Sequence, residues 1–288
     1  MAYTSFVDLL SGAVAHGSIS AAALRLEAVE TGRSAEEIRI RMHDTLAAMR
    51  ESVAVGRSGE ARSRSGLTGG DAARLAAHND GLVGEPFAAA LASALAAGEV
   101  NAAMGRVVAA PTGGASGVVP GVLLTVAERI GADDEQVVDA LLAAGAIGGI
   151  IAARASLSGA AGGCQAEIGS AAAMAAGAAV ELLGGTPEQS GHAASLALQG
   201  LLGLVCDPVG GLVEVPCVVR NATGAAVALA GMEMALAGVE FPIPFDEVVE
   251  AAAHVGRSLP PSLKETARGG LAATPTGTAL GVTARKGD

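Results

Sequence analysis

The core of this chain has to be built without large side chains. Hydrophobic residues make up 51% of its 288 residues, yet aromatics are 2%, tryptophan is absent and glycine occurs 41 times. Alanine, glycine, valine and leucine must therefore fill the interior. Small side chains let helix backbones approach closely, but each buries little apolar area, so stability needs many buried helices rather than a few aromatic anchors. Period-2 alternation bounded by turns is scarce, whereas helix-start signals recur. Ser34-x-x-Glu37 is a capping box ahead of Ile38, Met42, Leu46, Met49 and Val53, which share one face. Thr186-Pro187-Glu188-Gln189 puts threonine at an N-cap, proline at the first helical position and glutamine three residues on. Asp133 and Asp246 are expected to cap helices over 135–151 and 247–257. The expected fold class is all-α, a compact bundle of Ala/Gly-rich helices with glycine-rich active-site loops.

A single domain is expected over 1–288. Residues 1–57 read as a more charged helical region, 58–80 as a loop, 81–277 as an apolar, glycine-rich core and 278–288 as a tail. Net charge is −11, which disfavours nucleic acid because phosphate contacts need a basic face. Mean hydropathy is +0.47, which raises the question of a membrane. The longest uncharged apolar stretch, 140–153, is broken by glycines and followed by Arg154. A spanning helix needs about 18–20 apolar residues, and no segment is expected to reach that. The N-terminus lacks a basic n-region and Asp8 interrupts its apolar stretch, so it makes a poor signal peptide. With few cysteines, the expected compartment is a reducing cytoplasm.

Three cysteines, Cys164, Cys206 and Cys217, rule out a complete set of internal disulfides. Three thiolates are one short of the four that close a structural zinc or iron–sulfur site, and are the number for a cluster with one open iron. Cys164 follows Gly162-Gly163 and precedes an apolar run that starts a helix, where a thiolate is favoured by the free N–H groups. Cys206 and Cys217 bracket a segment in which Pro208, Gly210-Gly211 and Pro216 force a loop able to bring the sulfurs together. Burial in the core, a 206–217 disulfide, or zinc with His192 or His254 as a further ligand remain open on these residues alone. His16, His43 and His78 show no partner pattern and read as surface residues.

Two further loops carry polar chemistry. Thr112-Gly113-Gly114-Ala115-Ser116-Gly117 precedes a helix expected over 118–129, and its amides with the hydroxyls of Thr112 and Ser116 could hold a small anion. No lysine follows the last glycine, so it is not a P-loop. Arg220-Asn221 follow the third cysteine, and Arg268 lies in Glu265-Thr266-Ala267-Arg268-Gly269-Gly270. A guanidinium fork suits a carboxylate, and either arginine could equally be a structural ion-pair partner.

Taken together, Ala110–Gly117, Gly162–Gly169, the segment from Cys206 to Cys217, and Glu265–Leu271 resemble the iron–sulfur-dependent bacterial L-serine dehydratase α chain. Ser65-Gly66-Leu67-Thr68-Gly69-Gly70-Asp71 and Glu99-Val100-Asn101-Ala102-Ala103-Met104-Gly105 match as well. The resemblance covers about 31–277, and the two-cysteine loop is its most specific part. It implies an all-α catalytic domain holding a 4Fe–4S cluster on Cys164, Cys206 and Cys217. The open iron would act as Lewis acid on L-serine, giving aminoacrylate, then pyruvate and ammonia. Thr112, Ser116, Arg220, Asn221 and Arg268 are the substrate-binding candidates.

Single-chain members carry an N-terminal β domain with a Ser-His-Thr-type motif. Its absence here implies a separate β chain in a hetero-oligomer, and the catalytic base is left unassigned. Some members end in a cysteine that reaches the open iron, and no cysteine follows Cys217. A pyridoxal-phosphate route would need a Schiff-base lysine, and only Lys264 and Lys286 exist. The alternatives kept are a related lyase acting on another small amino acid, such as a cysteine desulfidase, and a non-catalytic cluster-binding sensor subunit.

Overall fold

The computed structural model describes residues 3–78 and 81–286. Residues 1–2, 79–80 and 287–288, which belong to the N-terminal stretch, the expected loop and the tail, lie outside them. Thirteen α-helices follow one another among the described residues, with no strands. They are α1 (Phe6–His16), α2 (Ile19–Thr31), α3 (Ala35–Arg57), α4 (Asp71–Ala76), α5 (Glu85–Ala102), α6 (Val118–Ile130) and α7 (Asp134–Arg154). The second half holds α8 (Gly159–Gly162), α9 (Ser170–Leu182), α10 (Pro187–Gln199), α11 (Cys217–Leu236), α12 (Phe245–Ser258) and α13 (Pro275–Lys286). The all-α expectation is met.

Local signals start several of these helices. Ser34, Asp133 and Thr186 each form a full capping box, and Pro187 occupies the first turn of α10. Asp246 does not cap. α12 begins at Phe245 after Pro244, and the Asp246 carboxylate instead accepts the Phe6 amide at 2.8 Å. That contact anchors the start of α1 onto α12, so a tertiary partner outcompetes the local one.

The α9 helix is the axis of the bundle. It is buried almost throughout and packs against α6, α7, α10 and α11. Seven of its thirteen residues are alanine, so the neighbouring helices come close rather than interlocking long side chains. The same economy joins α6 to α5. A Cβ added at Gly121 would lie 2.8 Å from Ala94 Cβ and 2.9 Å from the Ala90 carbonyl. Each buried methyl contributes only about 0.8 kcal/mol, so the number of such contacts, not any one of them, carries the stability.

Three sequence expectations are corrected. The 58–80 loop contains α4, whose first amides, Asp71 and Ala72, bond the distant Glu99 carboxylate at 2.6 and 3.3 Å. The expected tail boundary at 277/278 falls inside α13. The α7 helix, 21 residues with a mean hydropathy of 1.8 over its best window, is long and apolar enough to cross a membrane. Most of that window is buried inside the bundle, where α7 packs on α2, α3 and α9.

Candidate active site

The chemistry-bearing loops meet at one end of the bundle, where α6, α9 and α11 begin. Asn221, in the first turns of α11, ties them together. Its Oδ1 accepts the Gly117 amide at 2.8 Å, and its Nδ2 donates to the carbonyls of Gly114 at 2.9 Å and Cys217 at 3.0 Å. Both ends of this amide are thus engaged by the chain. The Thr112 hydroxyl donates to Glu167 Oε1 at 2.7 Å, joining the glycine loop to the turn after Cys164. Ser116 Oγ is buried and has no hydrogen-bond partner among the described residues.

All three cysteines are free and face this region. Cys164 follows α8 after Gly163 and leads into a π-helical turn, Gln165–Gly169, that continues as α9. Cys217 is the first residue of α11. Cys206 lies in a short parallel bridge with Lys264: its amide donates to Leu263 O at 2.9 Å, and the Glu265 amide donates to its carbonyl at 2.7 Å. Burial pushes the Cys164 thiol up to about 11 and the Cys217 thiol up to about 12, and it raises Cys206 further. The thiols are near enough to raise one another: Cys164 and Cys217 act on Cys206, and Cys164 on Cys217. Arg220 pulls Cys164 and Cys217 the other way, as does the Ile168 amide for Cys164, and desolvation wins.

Gly159 lets these groups pack directly against its backbone. A Cβ there would lie 2.5 Å from Glu167 Oε2 and 2.9 Å from Cys206 Sγ, so a side chain at this position would displace both. Burial raises the Glu167 carboxyl above its usual range, offset in part by Thr112 and reinforced by Glu265.

The two arginines separate. Arg220 is mostly buried, with its Nη2 2.8 Å from Asp207 Oδ1 and its Nη1 donating to Val205 O at 2.9 Å. Burial opposes its charge, but Cys164 and Asp207 overcome that and raise its pKa. Asp207 Oδ1 sits off the N–H direction and so forms an ion pair without an aligned hydrogen bond. Asp207 Oδ2 accepts the Leu271 amide at 2.7 Å. Gly270, at φ +59°, makes room for it, since a Cβ there would fall 2.2 Å from Oδ2. Arg268 is exposed and makes no hydrogen bond or ion pair with the described residues. It sits in a strap fixed at one end by the Cys206 bridge and at the other by Asp207, with Glu265 and Ala267 both in the left-handed region. Strained backbone of this kind persists where surrounding contacts over-determine it, and it clusters at functional sites.

Three residues at this end were not singled out from the sequence. Glu167 and Glu214 lay inside motifs read for their cysteines and glycines. Ser65 hydrogen-bonds Glu214 and so pins the loop after α3 to the two-cysteine loop. His192 lies on α10, where its Nδ1 accepts the Phe241 amide at 3.2 Å.

Among the described residues no three His, Cys, Asp or Glu side chains close tightly enough to hold one metal ion. A polynuclear cluster asks for a wider triangle, because each thiolate binds a separate iron. Three desolvated sulfurs with Glu167 and Glu265 nearby and one buried guanidinium form a donor set rich in anionic ligands. That set fits a cationic iron core.

The chain is similar in sequence to known proteins. The family described as serine dehydratase alpha chain matches residues 15–272. A probable L-serine dehydratase alpha chain of Bacillus subtilis is 50% identical over 253 residues, covering 87% of this chain and 84% of that protein. The L-serine dehydratase alpha chain of Peptoniphilus asaccharolyticus is 50% identical over 196 residues, 68% of this chain and 67% of its own. An L-serine dehydratase of Streptomyces coelicolor is 43% identical over 260 residues, which cover 88% of this chain but 57% of that longer protein. With a family match over most of its length and relatives at half identity, the chain belongs to the serine dehydratase alpha chain family.

Proposed function

We propose that the chain is the alpha chain of an L-serine ammonia-lyase that converts L-serine to pyruvate and ammonia. The observation that carries this is the meeting, at one end of the bundle, of three free cysteines with the glycine loop and the Arg268 strap. Cys164, Cys206 and Cys217 would hold a 4Fe–4S cluster, which when bound supplies a Lewis acid for the serine hydroxyl and carboxylate. The chain's own groups bind and orient. Ser116 Oγ, buried without a partner among the described residues, offers a hydroxyl to the substrate. Arg268 offers the fork for its carboxylate, while Arg220 braces the cysteine loop. A separate beta chain would complete the site. Val213, Val219 and Leu271 stand 38%, 51% and 48% exposed around the cysteine loop, which supports a partner covering it.

The experiment is anaerobic reconstitution with iron and sulfide, followed by L-serine with and without the beta chain. Visible absorbance that serine perturbs, together with pyruvate, is the expected result. Absence of iron uptake would return the cysteines to the core and overturn the reading. Turnover of cysteine or threonine in preference to serine would move the chain to a related lyase. A spectrum responding to oxygen but not to serine would make it a sensor.

Arg268→Gln is expected to raise the serine KM by about tenfold or more, because the bidentate fork is lost. The apo melting temperature should not change, since the guanidinium is exposed and bonds none of the described residues. Steady-state kinetics and a thermal melt check both; an unchanged KM would take Arg268 out of substrate binding.

A further inference from the structure

Glu167 stands apart from the other carboxylates of the chain in where it is and what holds it. It lies on the π-helical turn Gln165–Gly169, whose other four residues are buried in the bundle. Single π turns inside helices recur at functional sites. Here the turn leaves Glu167 as its one partly exposed residue, directed at the glycine loop. The Thr112 hydroxyl fixes Oε1 at 2.7 Å. Oε2 accepts no hydrogen bond from the described residues, and no lysine or arginine among them pairs with the carboxylate. Oε2 and Cys206 Sγ pack side by side against Gly159, within 2.5 and 2.9 Å of the position a Cβ would take there. One oxygen is therefore oriented, and the other carries no hydrogen bond from the described residues and lies beside the Cys206 sulfur. Of the other acids at this end, Asp207 pairs with Arg220, Glu214 accepts from Ser65, and Glu265 is exposed.

Eliminating water from a β-hydroxy amino acid requires a base beside Cα, and a carboxylate with one oriented oxygen and one without a hydrogen bond from the described residues meets that need. We propose that Glu167 is the base that removes the Cα proton of the substrate, an inference that rests on the serine dehydratase reading. The Cα–H bond breaks and an O–H bond forms on Oε2. The released electron pair becomes the Cα–Cβ π bond, and the Cβ–O bond breaks with its pair staying on oxygen. The proton on Glu167 balances that oxygen's departure as water, leaving 2-aminoacrylate. Addition of one water then yields pyruvate and ammonia.

The test is Glu167→Gln in the reconstituted complex of both chains, since glutamine can still accept from Thr112. Iron content, the visible spectrum and the serine concentration that half-perturbs it should match wild type. Pyruvate turnover should fall by about 10²- to 10⁴-fold. The melting temperature of the apo chain should be no lower, because a partly buried carboxylate without a cation is removed. Glu167→Asp should keep intermediate turnover that slows further with α-deuterated serine. Turnover within tenfold of wild type would overturn the assignment. A raised half-perturbing concentration would make Glu167 a holder of the substrate ammonium instead. Lost iron or a lower apo melting temperature would make it structural. Wild-type complex that takes up no iron or forms no pyruvate would overturn the dehydratase reading and this inference with it.

Discussion

Cys206→Ala is expected to abolish iron uptake and pyruvate formation together while leaving the apo chain folded. The backbone of Cys206 is held from both sides by Leu263 O and the Glu265 amide, at 2.9 and 2.7 Å, and neither bond involves the sulfur. The side chain is 2% exposed, so its removal leaves a small apolar void. Such a truncation costs about 1 kcal/mol, and for a chain of this size that lowers the melting temperature by about 2–4 °C. The site, by contrast, loses one of three thiolates, and no other cysteine can replace it. Iron analysis, the visible spectrum and a pyruvate assay after anaerobic reconstitution check the loss, and a thermal melt of the apo chain checks the fold. A colourless variant with full activity would sink the cluster assignment. A variant that fails to fold would instead show that the sulfur braces the bridge.

The elements that could be read from the sequence are those whose cause is local. Ser34, Asp133 and Thr186 announce helices because donor and acceptor sit three residues apart. Asp246 carries the same chemistry and goes elsewhere, because the Phe6 amide, 240 positions away, reaches it first. The six-residue α4 is hidden in a polar loop because its cap, Glu99, comes from α5. The start of α13 was legible in principle: Thr274-Pro275 repeats the Thr186-Pro187 pattern, and Thr274 Oγ1 accepts the Gly277 amide at 3.1 Å.

The site divides in the same way. The prolines and glycines between Cys206 and Cys217 foretell a loop, whereas Cys164 joins them through tertiary contacts: the Gln165 amide donates to Leu204 O at 2.9 Å and the Gly203 amide to Gln165 Oε1 at 2.8 Å. Arg220 and Arg268 are alike as letters. Burial beside Asp207 separates the brace from the free fork. Glu167 reads in sequence as one residue of the cysteine motif, and only the fold brings Thr112, 55 positions earlier, to hold it.

Asp207→Ala should have the opposite profile to Cys206→Ala, with the apo chain strongly destabilised. Asp207 is 2% exposed and joins three segments: its own cysteine loop, α11 through Arg220 and the Arg268 strap through the Leu271 amide. Its removal leaves a largely buried guanidinium without its carboxylate partner. Breaking a buried pair from one side costs about 3–5 kcal/mol, because the remaining charge has neither water nor a counter-ion. That corresponds to a fall in melting temperature of about 10 °C. Asp207→Asn, which can still accept from Leu271, should lose less. The double change Asp207→Ala with Arg220→Met should recover part of the loss, since it removes the stranded charge as well. Thermal and urea unfolding of wild type, Asp207→Ala, Arg220→Met and the double variant, all as apo proteins, check this as a double-mutant cycle. If Asp207→Ala melts with wild type, the ion pair does not brace the loop. Arg220 would then be available to the substrate, and the division between the two arginines would have to be redrawn.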